Sequence, residues 1–273
     1  MSNMVYKALA LDLDGTLMDS NKKLSEVNKK AIWKAIDKGT AVILASGRPM
    51  FGVKPVAEML ELKERGGYIL AYNGGNILDC STGKLIVSKQ IPEECLADIC
   101  RIARQNKVQP LTYFEDKILA ESDKDEYVIK EAFCNSAEIK VVEDLAAFVD
   151  YPVAKLLVVG EHTKLLPVQE ELNKLRGDVL DIFFSEEYFL EIVPKNVAKD
   201  EALSALMDIL GLRREELIAC GDAMNDVSMI KYAGLGVVMA NAYENIKQYG
   251  DYIAPSNDDN GVAAVIEKFI CCD

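Results

Sequence analysis

The chain has 273 residues, of which 50% are hydrophobic and 27% charged, and its formal net charge is −13. This length suffices for one large α/β domain or two smaller ones, and the sequence contains no run of roughly 20 apolar residues that could cross a membrane. The negative charge argues against nucleic acid as a partner, because a polyanionic backbone would be repelled at long range.

The cysteines and the histidine exclude several kinds of site. None of the seven cysteines stands in a Cys-x-x-Cys pair, so we expect reduced thiols, and we interpret the adjacent Cys271 and Cys272 as an unimportant tail rather than a redox pair. The single histidine, His162, argues against a histidine triad or a multi-histidine metal site. The first dozen residues lack the pattern of a secretory signal, so cytoplasmic residence is the expectation.

Strands that are apolar along their whole length alternate with helical segments in the first part of the chain. The predicted strands are 8–11, 41–45 and 68–71, and a helix over 24–37, capped by Ser25, separates the first two. Continuous apolar strands separated by helices indicate a parallel sheet covered on both faces. The sequence therefore predicts a doubly wound α/β core that binds ligands at the carboxyl ends of its strands.

The pattern changes near Cys80. Between residues 84 and 188 the predicted strands are shorter and more mixed, with helices over 93–105, 125–133 and 162–175. Fully apolar strands return at 217–220 and 236–239. We therefore predict a core formed by residues 1–83 and 189–273, with a smaller α/β domain of residues 84–188 inserted into it.

Two carboxylates follow the first predicted strand, in Asp12-Leu13-Asp14-Gly15-Thr16. Residues two apart in an extended chain face the same way, and Gly15 permits a sharp turn. Two acids held this close repel each other, so we expect either a bound divalent cation or a proton retained on one carboxyl group. The alternative is an ordinary Asp-Gly turn with solvated side chains.

A second polar cluster, Gly221-Asp222-Ala223-Met224-Asn225-Asp226, also follows an apolar strand, and Ser46 follows the strand 41–45. Oxygen ligands of this kind suit Mg²⁺, and a cation would let an anionic substrate approach a strongly acidic protein. A helix-capping loop is the alternative for this cluster. Chemistry at these strand ends must use carboxylates, lysine and hydroxyl groups.

These motifs, in this order, resemble those of the haloacid dehalogenase superfamily of phosphatases: Asp-x-Asp-Gly-Thr, then Ser46, then Lys199, then Gly-Asp-x-x-Asn-Asp. The insert between Ser46 and Lys199 resembles the type-C2 cap of the Cof-like hydrolase branch, which includes sugar-phosphate phosphatases. The similarity covers nearly the whole chain. It implies a Rossmann-like core, a cap that selects the substrate, and Mg²⁺-dependent hydrolysis of small phosphorylated metabolites.

The resemblance also implies roles for individual residues. Asp12 would attack phosphorus and become an aspartyl phosphate, while Asp14 would protonate the leaving alcohol and later activate water. Four ionised acids would outweigh Mg²⁺ and Lys199, which favours a proton on Asp14. Metal ligation would involve Asp12, the main-chain carbonyl of Asp14, Asp222 and, through water, Asp226. The phosphate would be bound by Ser46, Lys199, Asn225 and the main-chain N–H groups of Leu13 and Gly47.

Arg48, Asn73 and Glu187-Tyr188 are candidates for substrate contacts at the domain junction, although Arg48 could equally form a surface salt bridge and Asn73 a turn. The chain departs from the family in having Asp200 after the lysine, where glycine is frequent. A phosphomutase is disfavoured, because its helical cap would fall between Asp14 and Ser46. A catalytically idle metabolite-binding or regulatory module is disfavoured because every reactive group is retained.

Overall fold

The computed structural model describes residues 6–271, so Cys272 and the prediction made for it lie outside the described residues. The chain divides into two compact units. One runs up to Val87 and resumes at Ala198, and the other is Ser88–Val197. Among the described residues, no helix combines the length and the apolar character that a membrane span requires.

The described residues form fourteen strands. They are β1 Ala8–Leu11, β2 Ala41–Ala45, β3 Tyr68–Ala71, β4 Asn76–Asp79, β5 Lys84–Ser88, β6 Gln109–Phe114, β7 Lys117–Ala120, β8 Ile139–Val141, β9 Leu156–Val159, β10 Leu180–Glu186, β11 Phe189–Pro194, β12 Leu217–Gly221, β13 Leu235–Met239 and β14 Tyr252–Ala254.

The described residues also form eleven α-helices. They are α1 Glu26–Asp37, α2 Met50–Met59, α3 Leu62–Arg65, α4 Glu93–Gln105, α5 Glu126–Asn135, α6 Leu145–Phe148, α7 His162–Arg176, α8 Lys199–Leu210, α9 Val227–Tyr232, α10 Glu244–Lys247 and α11 Gly261–Phe269.

The first unit contains an eight-stranded sheet in the order β14-β13-β12-β1-β2-β3-β4-β5. The pairs from β14 to β3 are parallel, whereas β4 runs antiparallel to β3. The direction reverses at β4 because only residues 72–75 connect it to β3, and a parallel pair would need a much longer crossover. The predicted α/β core is confirmed, with an antiparallel edge that the sequence did not predict.

Strand β1 lies at the centre of this sheet and is covered on both faces. Ala8 and Ala10 pack in one apolar cluster with Leu203 and Leu206 of α8. Because side chains alternate along a strand, Leu9 and Leu11 face the opposite side, and both are also fully buried. Covering both faces is what makes the strand apolar throughout.

The second unit contains a six-stranded sheet in the order β10-β11-β9-β6-β7-β8, in which only the β7–β8 pair is parallel among the described pairings. Its core packs buried residues of α4 and α7, such as Ile99, Leu165 and Leu172, against Leu156 and Leu190 of the sheet.

The boundaries of the second unit fall later than residues 84 and 188, where the sequence analysis places them. Strand β5 belongs to the sheet of the first unit, and β11 pairs with both β9 and β10. Every residue of β11 is buried, because the strand is internal to its sheet. A strand buried in this way is largely apolar in either unit. The sequence analysis assigned Phe189–Pro194 to the core because of this apolar character.

Candidate active site

Three strands of the first unit end side by side and carry polar residues at that edge. Leu11 of β1 is in register with Leu44 of β2 and with Cys220 of β12. The N–H group of Asp12, the next residue of the first strand, donates to the carbonyl of Cys220 over 3.0 Å. Parallel pairing therefore brings the segments that begin at Asp12, Ser46 and Asp222 to one edge, as the sequence predicted.

Lys199 joins two of the acids at this edge. It is the first residue of α8, and its Nζ donates to Asp12 Oδ1 over 2.7 Å and to Asp226 Oδ1 over 2.6 Å. All three side chains are buried. Burial alone would lower the pKa of Lys199, but the charges of Asp12 and Asp226 outweigh it and raise the pKa above its usual value. The lysine is therefore a fixed cation.

Asp226 holds the loop that follows β12. Its Oδ2 accepts hydrogen bonds from the N–H groups of Asp222 and Ala223, both over 3.0 Å. A side chain at Gly221 would not fit, because its Cβ would lie 2.4 Å from Cβ of Asp226. With both carboxylate oxygens engaged, Asp226 positions the lysine and the loop together.

Asp222 is held by the turn that follows Asp14. Thr16, which is fully buried, donates from Oγ1 to Asp222 Oδ1 over 2.9 Å, a contact that the sequence analysis missed. Gly15 has φ of +79°, and a Cβ there would lie 2.3 Å from Asp222 Oδ2. Burial, followed by the nearby Asp226 charge, raises the pKa of Asp222 to about 6, although the Thr16 hydrogen bond opposes the rise.

The acids at this edge fit a divalent cation. Asp12, Asp222 and Asp226 each offer a carboxylate oxygen, and these oxygens lie within 4.8 Å of one another. Burial, followed by the Asp226 charge, raises the pKa of Asp12 well above its usual value, against the effect of Lys199. When ionised, three carboxylates and one lysine leave a net charge of −2, which a divalent ion would neutralise. An all-oxygen donor set is the kind that Mg²⁺ prefers.

Asp14 lies apart from this cluster and is paired with Arg48. Its carboxylate accepts hydrogen bonds from Arg48 Nε over 2.7 Å and Nη2 over 2.5 Å, and its side chain is 47% exposed. Arg48 therefore supplies a positive charge beside Asp14 that the sequence-based charge count left out, and the proton that this count favours on Asp14 stays a prediction.

The remaining predicted phosphate ligands meet around Asn73. Its N–H group donates to the carbonyl of Ser46 over 3.0 Å, and its Oδ1 accepts from Asn225 Nδ2 over 3.3 Å. Gly47 lies against the same side chain, since a Cβ there would be 3.0 Å from Asn73 Oδ1. The Ser46 Oγ accepts from the N–H group of Arg48 over 3.2 Å. The structure therefore brings the predicted phosphate loop and the Asn225 loop into contact.

Two candidates remain, Leu13 and the pair Glu187-Tyr188. The Leu13 side chain is fully buried, and its carbonyl accepts hydrogen bonds from the N–H groups of Thr16 and Met18. Tyr188 belongs to the second unit, where it stacks on Tyr127 with 5.6 Å between ring centroids. Substrate contact by Leu13, Arg48, Asn73 or Glu187-Tyr188 stays a prediction.

Similarity to known proteins extends over nearly the whole chain. A sequence profile of the haloacid dehalogenase-like hydrolases matches residues 9–266. A solved haloacid dehalogenase-like hydrolase from Bacteroides thetaiotaomicron is 44% identical, with 96% of this chain and 99% of that chain covered and a TM-score of 0.92. A solved protein from Thermotoga maritima is 31% identical, with 97% of each chain covered and a TM-score of 0.86.

Among curated proteins, the 5-amino-6-(5-phospho-D-ribitylamino)uracil phosphatase YwtE of Bacillus subtilis is 29% identical, with 97% of this chain and 98% of the relative covered. The profile match spans both strand-end motifs and the whole of the second unit. The chain therefore belongs to the haloacid dehalogenase-like hydrolase family and is one of its phosphatases.

Proposed function

We propose that this protein is a Mg²⁺-dependent phosphatase that hydrolyses small phosphorylated metabolites through an aspartyl phosphate on Asp12. The observation that carries the proposal is the buried Asp12 carboxylate, which Lys199 holds by one oxygen beside the acids Asp222 and Asp226. A carboxylate that is desolvated and fixed in this way is a pre-positioned nucleophile. The relative that acts on a phosphorylated ribityl compound supports a small phosphomonoester as the substrate class.

In the first step, the free oxygen of Asp12 forms a bond to phosphorus as the bond from phosphorus to the alcohol oxygen breaks. A proton from Asp14 goes to the departing alcohol. In the second step, water attacks phosphorus of the aspartyl phosphate, and Asp14 accepts the proton that the water loses. Orthophosphate leaves and the Asp12 carboxylate is restored.

The other residues at the edge bind and orient the phosphate. Ser46, Asn225 and the N–H groups of Leu13 and Gly47 donate to its oxygens, while Lys199 supplies a fixed positive charge. Asp12, Asp222, Asp226 and the main-chain carbonyl of Asp14 are the groups that would hold Mg²⁺, directly or through water. When bound, the ion screens the repulsion between the nucleophile and the anionic phosphate.

The decisive experiment is a phosphate-release assay on p-nitrophenyl phosphate and a panel of metabolites, with Mg²⁺ and with EDTA. We expect activity only with Mg²⁺, and a loss of roughly 10³-fold or more in Asp12→Asn, because removing the nucleophile of a covalent mechanism is that severe. Asp37→Asn is the matched control, since Asp37 forms an exposed ion pair with Arg65. Tight ligand binding without phosphate release would instead favour an idle metabolite-binding module.

A further inference from the structure

The turn that carries Asp14 is tied to the carboxyl-terminal part of the chain by two asparagine side chains. Asn241 Nδ2 donates to the carbonyl of Gly15 over 2.8 Å. Asn257 Nδ2 donates to the carbonyl of Met18 over 2.9 Å, and this contact is buried. The two asparagines are also linked, because the N–H group of Asn257 donates to Asn241 Oδ1 over 3.1 Å. They form one bracket around the Asp14 turn, which we define as residues 14–18.

The segment that follows the turn is attached to the same part of the chain. Ser20 donates from its N–H group and from Oγ to the Asp258 carboxylate, over 2.8 and 2.6 Å. Ser25 Oγ donates to Asn260 Oδ1 over 2.6 Å. The contacts of residues 257–260 with this segment therefore extend from the turn to the start of helix α1.

The turn is packed unevenly, because Thr16, Leu17 and Met18 are buried whereas Asp14 is not. The Asp14 side chain is 47% exposed, and Gly15 has φ of +79°, a conformation that glycine adopts without cost. Polar contacts rather than apolar burial therefore fix the Asp14 carboxyl group, and Arg48 holds the side chain itself. Hydrogen bonds to the carbonyls of Gly15 and Met18 restrain the backbone on the carboxyl-terminal side of Asp14.

We propose that Asn241 and Asn257 are positioning residues that hold the Asp14 turn in the geometry needed for proton transfer. The inference rests on the proposed function, in which Asp14 gives a proton to the leaving group. Proton transfer requires donor and acceptor at hydrogen-bond distance, so a turn that moves by about 1 Å loses rate at this step. The asparagines touch neither the phosphate nor the nucleophile in this scheme.

The test uses Asn241→Asp and Asn257→Asp in the full-length protein. Each carboxylate keeps the size of the side chain and its acceptor oxygen but cannot donate to the Gly15 or Met18 carbonyl. Asn241 is exposed, so its variant is expected to fold even if the buried Asn257→Asp does not. Gln248→Glu is the matched control, because Gln248 Nε2 donates to the carbonyl of Asn245 over 2.8 Å in the same unit and has no part in the bracket.

The readout compares leaving groups. An alkyl phosphate needs a proton on its leaving oxygen, whereas p-nitrophenolate leaves without one. Because Asp14 also serves the second step on both substrates, the comparison uses kcat/KM, which reports only the steps up to formation of the aspartyl phosphate. We expect kcat/KM to fall roughly 10-fold or more on the best alkyl phosphate and under about 3-fold on p-nitrophenyl phosphate. Equal losses of kcat/KM on both substrates in Asn241→Asp would overturn the positioning role, and so would wild-type kcat/KM on the alkyl phosphate.

Hydrogen–deuterium exchange of the peptide covering residues 13–24 provides a readout that needs no activity. We expect faster exchange in Asn241→Asp and Asn257→Asp, and wild-type exchange in Gln248→Glu. If the wild-type protein hydrolyses no phosphomonoester, the proposed function fails, and the exchange measurement still decides whether the asparagines hold the turn. Unchanged exchange in Asn241→Asp would overturn the inference whatever the activity.

Discussion

Lys199 is the residue on which the charge balance of the site depends. It is buried between Asp12 and Asp226, and removing its ammonium group leaves two buried carboxylates without their counter-charge. Breaking a buried ion pair in this way costs about 3–5 kcal/mol. We therefore expect Lys199→Met in EDTA to be destabilised by an amount of this order, and Mg²⁺ to raise its Tm by more than it raises the wild-type Tm, because the variant site carries one more unbalanced negative charge.

A second buried lysine provides the control. Lys155 lies 3.0 Å from Glu191 within the second unit, so Lys155→Met should also destabilise the protein. Its Tm should respond to Mg²⁺ as the wild-type Tm does, since the change lies outside the acidic cluster. Thermal melts with EDTA and with Mg²⁺ make the comparison, and an equal response of the two variants would contradict the account of the Lys199 site.

Substituting Asn73 should have two separable effects, one through its backbone conformation and one through its side chain. Its φ is 55°, in the left-handed region that glycine tolerates and alanine does not, and its side chain accepts a hydrogen bond from Asn225. Asn73→Gly and Asn73→Ala should both weaken inhibition by orthophosphate by roughly 2- to 12-fold, the equivalent of one lost hydrogen bond. Asn73→Ala should in addition be about 1 kcal/mol less stable than Asn73→Gly, because alanine is strained at this φ.

Inhibition constants for orthophosphate and thermal melts of both Asn73 variants measure the two effects separately. Gly39→Ala is a control for the backbone effect alone, because Gly39 has φ of +88° and a Cβ there meets nothing within 4 Å. Wild-type inhibition by orthophosphate in both Asn73 variants would mean that Asn73 does not orient Asn225.

Helix α8 begins at the site, so the packing of its first turn determines where Lys199 lies. Gly74, with φ of +100°, lies against this turn, and a Cβ there would be 2.5 Å from Cβ of Ala202 and 2.9 Å from the carbonyl oxygen of Ala198. We expect Gly74→Ala to push the helix start away, to lose about 1–3 kcal/mol through overpacking, and to reduce kcat because the lysine moves.

The Gly39→Ala variant again gives the comparison, since it has the unfavourable φ without the clash. Urea denaturation of both variants separates the packing cost from the backbone cost. If the two lose the same stability and Gly74→Ala keeps full activity, then the contact between residue 74 and helix α8 does not position Lys199.

At the level of elements, the sequence predicted the strands that are apolar because they are buried, and it missed several of the shortest strands. Strands β1, β2 and β3 were predicted because both faces of their sheet are covered. Strands β4 and β8 were missed, since they are three or four residues long and mostly half-buried. Strand β11 was assigned to the wrong sheet, because an apolar strand carries no information on which sheet buries it.

The site could be predicted as far as parallel topology determines it. Asp12, Ser46 and Asp222 each follow an apolar strand, so their meeting at one edge follows from the fold class alone. The pairing of Arg48 with Asp14 and of Thr16 with Asp222 joins residues far apart in the chain, and no local pattern specifies either pair. The bracket formed by Asn241 and Asn257 has the same origin.

At the scale of the whole molecule, the acidic cluster couples stability to pH and to metal. Burial raises the pKa of Asp222 from its usual 3.8 to about 6, and it also raises the pKa of Asp12 well above its usual value. In this range the folded protein binds more protons than the unfolded chain, so the free energy of unfolding falls as pH rises. Groups with lowered pKa, such as Asp98 and Glu216, act in the opposite direction. Their contribution to the free energy of unfolding no longer changes once the pH exceeds the usual pKa values of these groups.

We therefore expect the Tm in EDTA to fall between about pH 5 and about pH 7.5, and the gain in Tm on adding Mg²⁺ to be larger at the higher pH, because a metal binds the deprotonated carboxylates. Asp222→Asn should reduce both effects, since it removes a titrating group and a metal ligand together. Asp98→Asn, which changes an acid of lowered pKa in the second unit, should leave both effects in place. Calorimetry across this range tests the coupling, and a Tm in EDTA that rises with pH, or an Mg²⁺ gain independent of pH, would mean that the buried acids are not protonated in the metal-free protein.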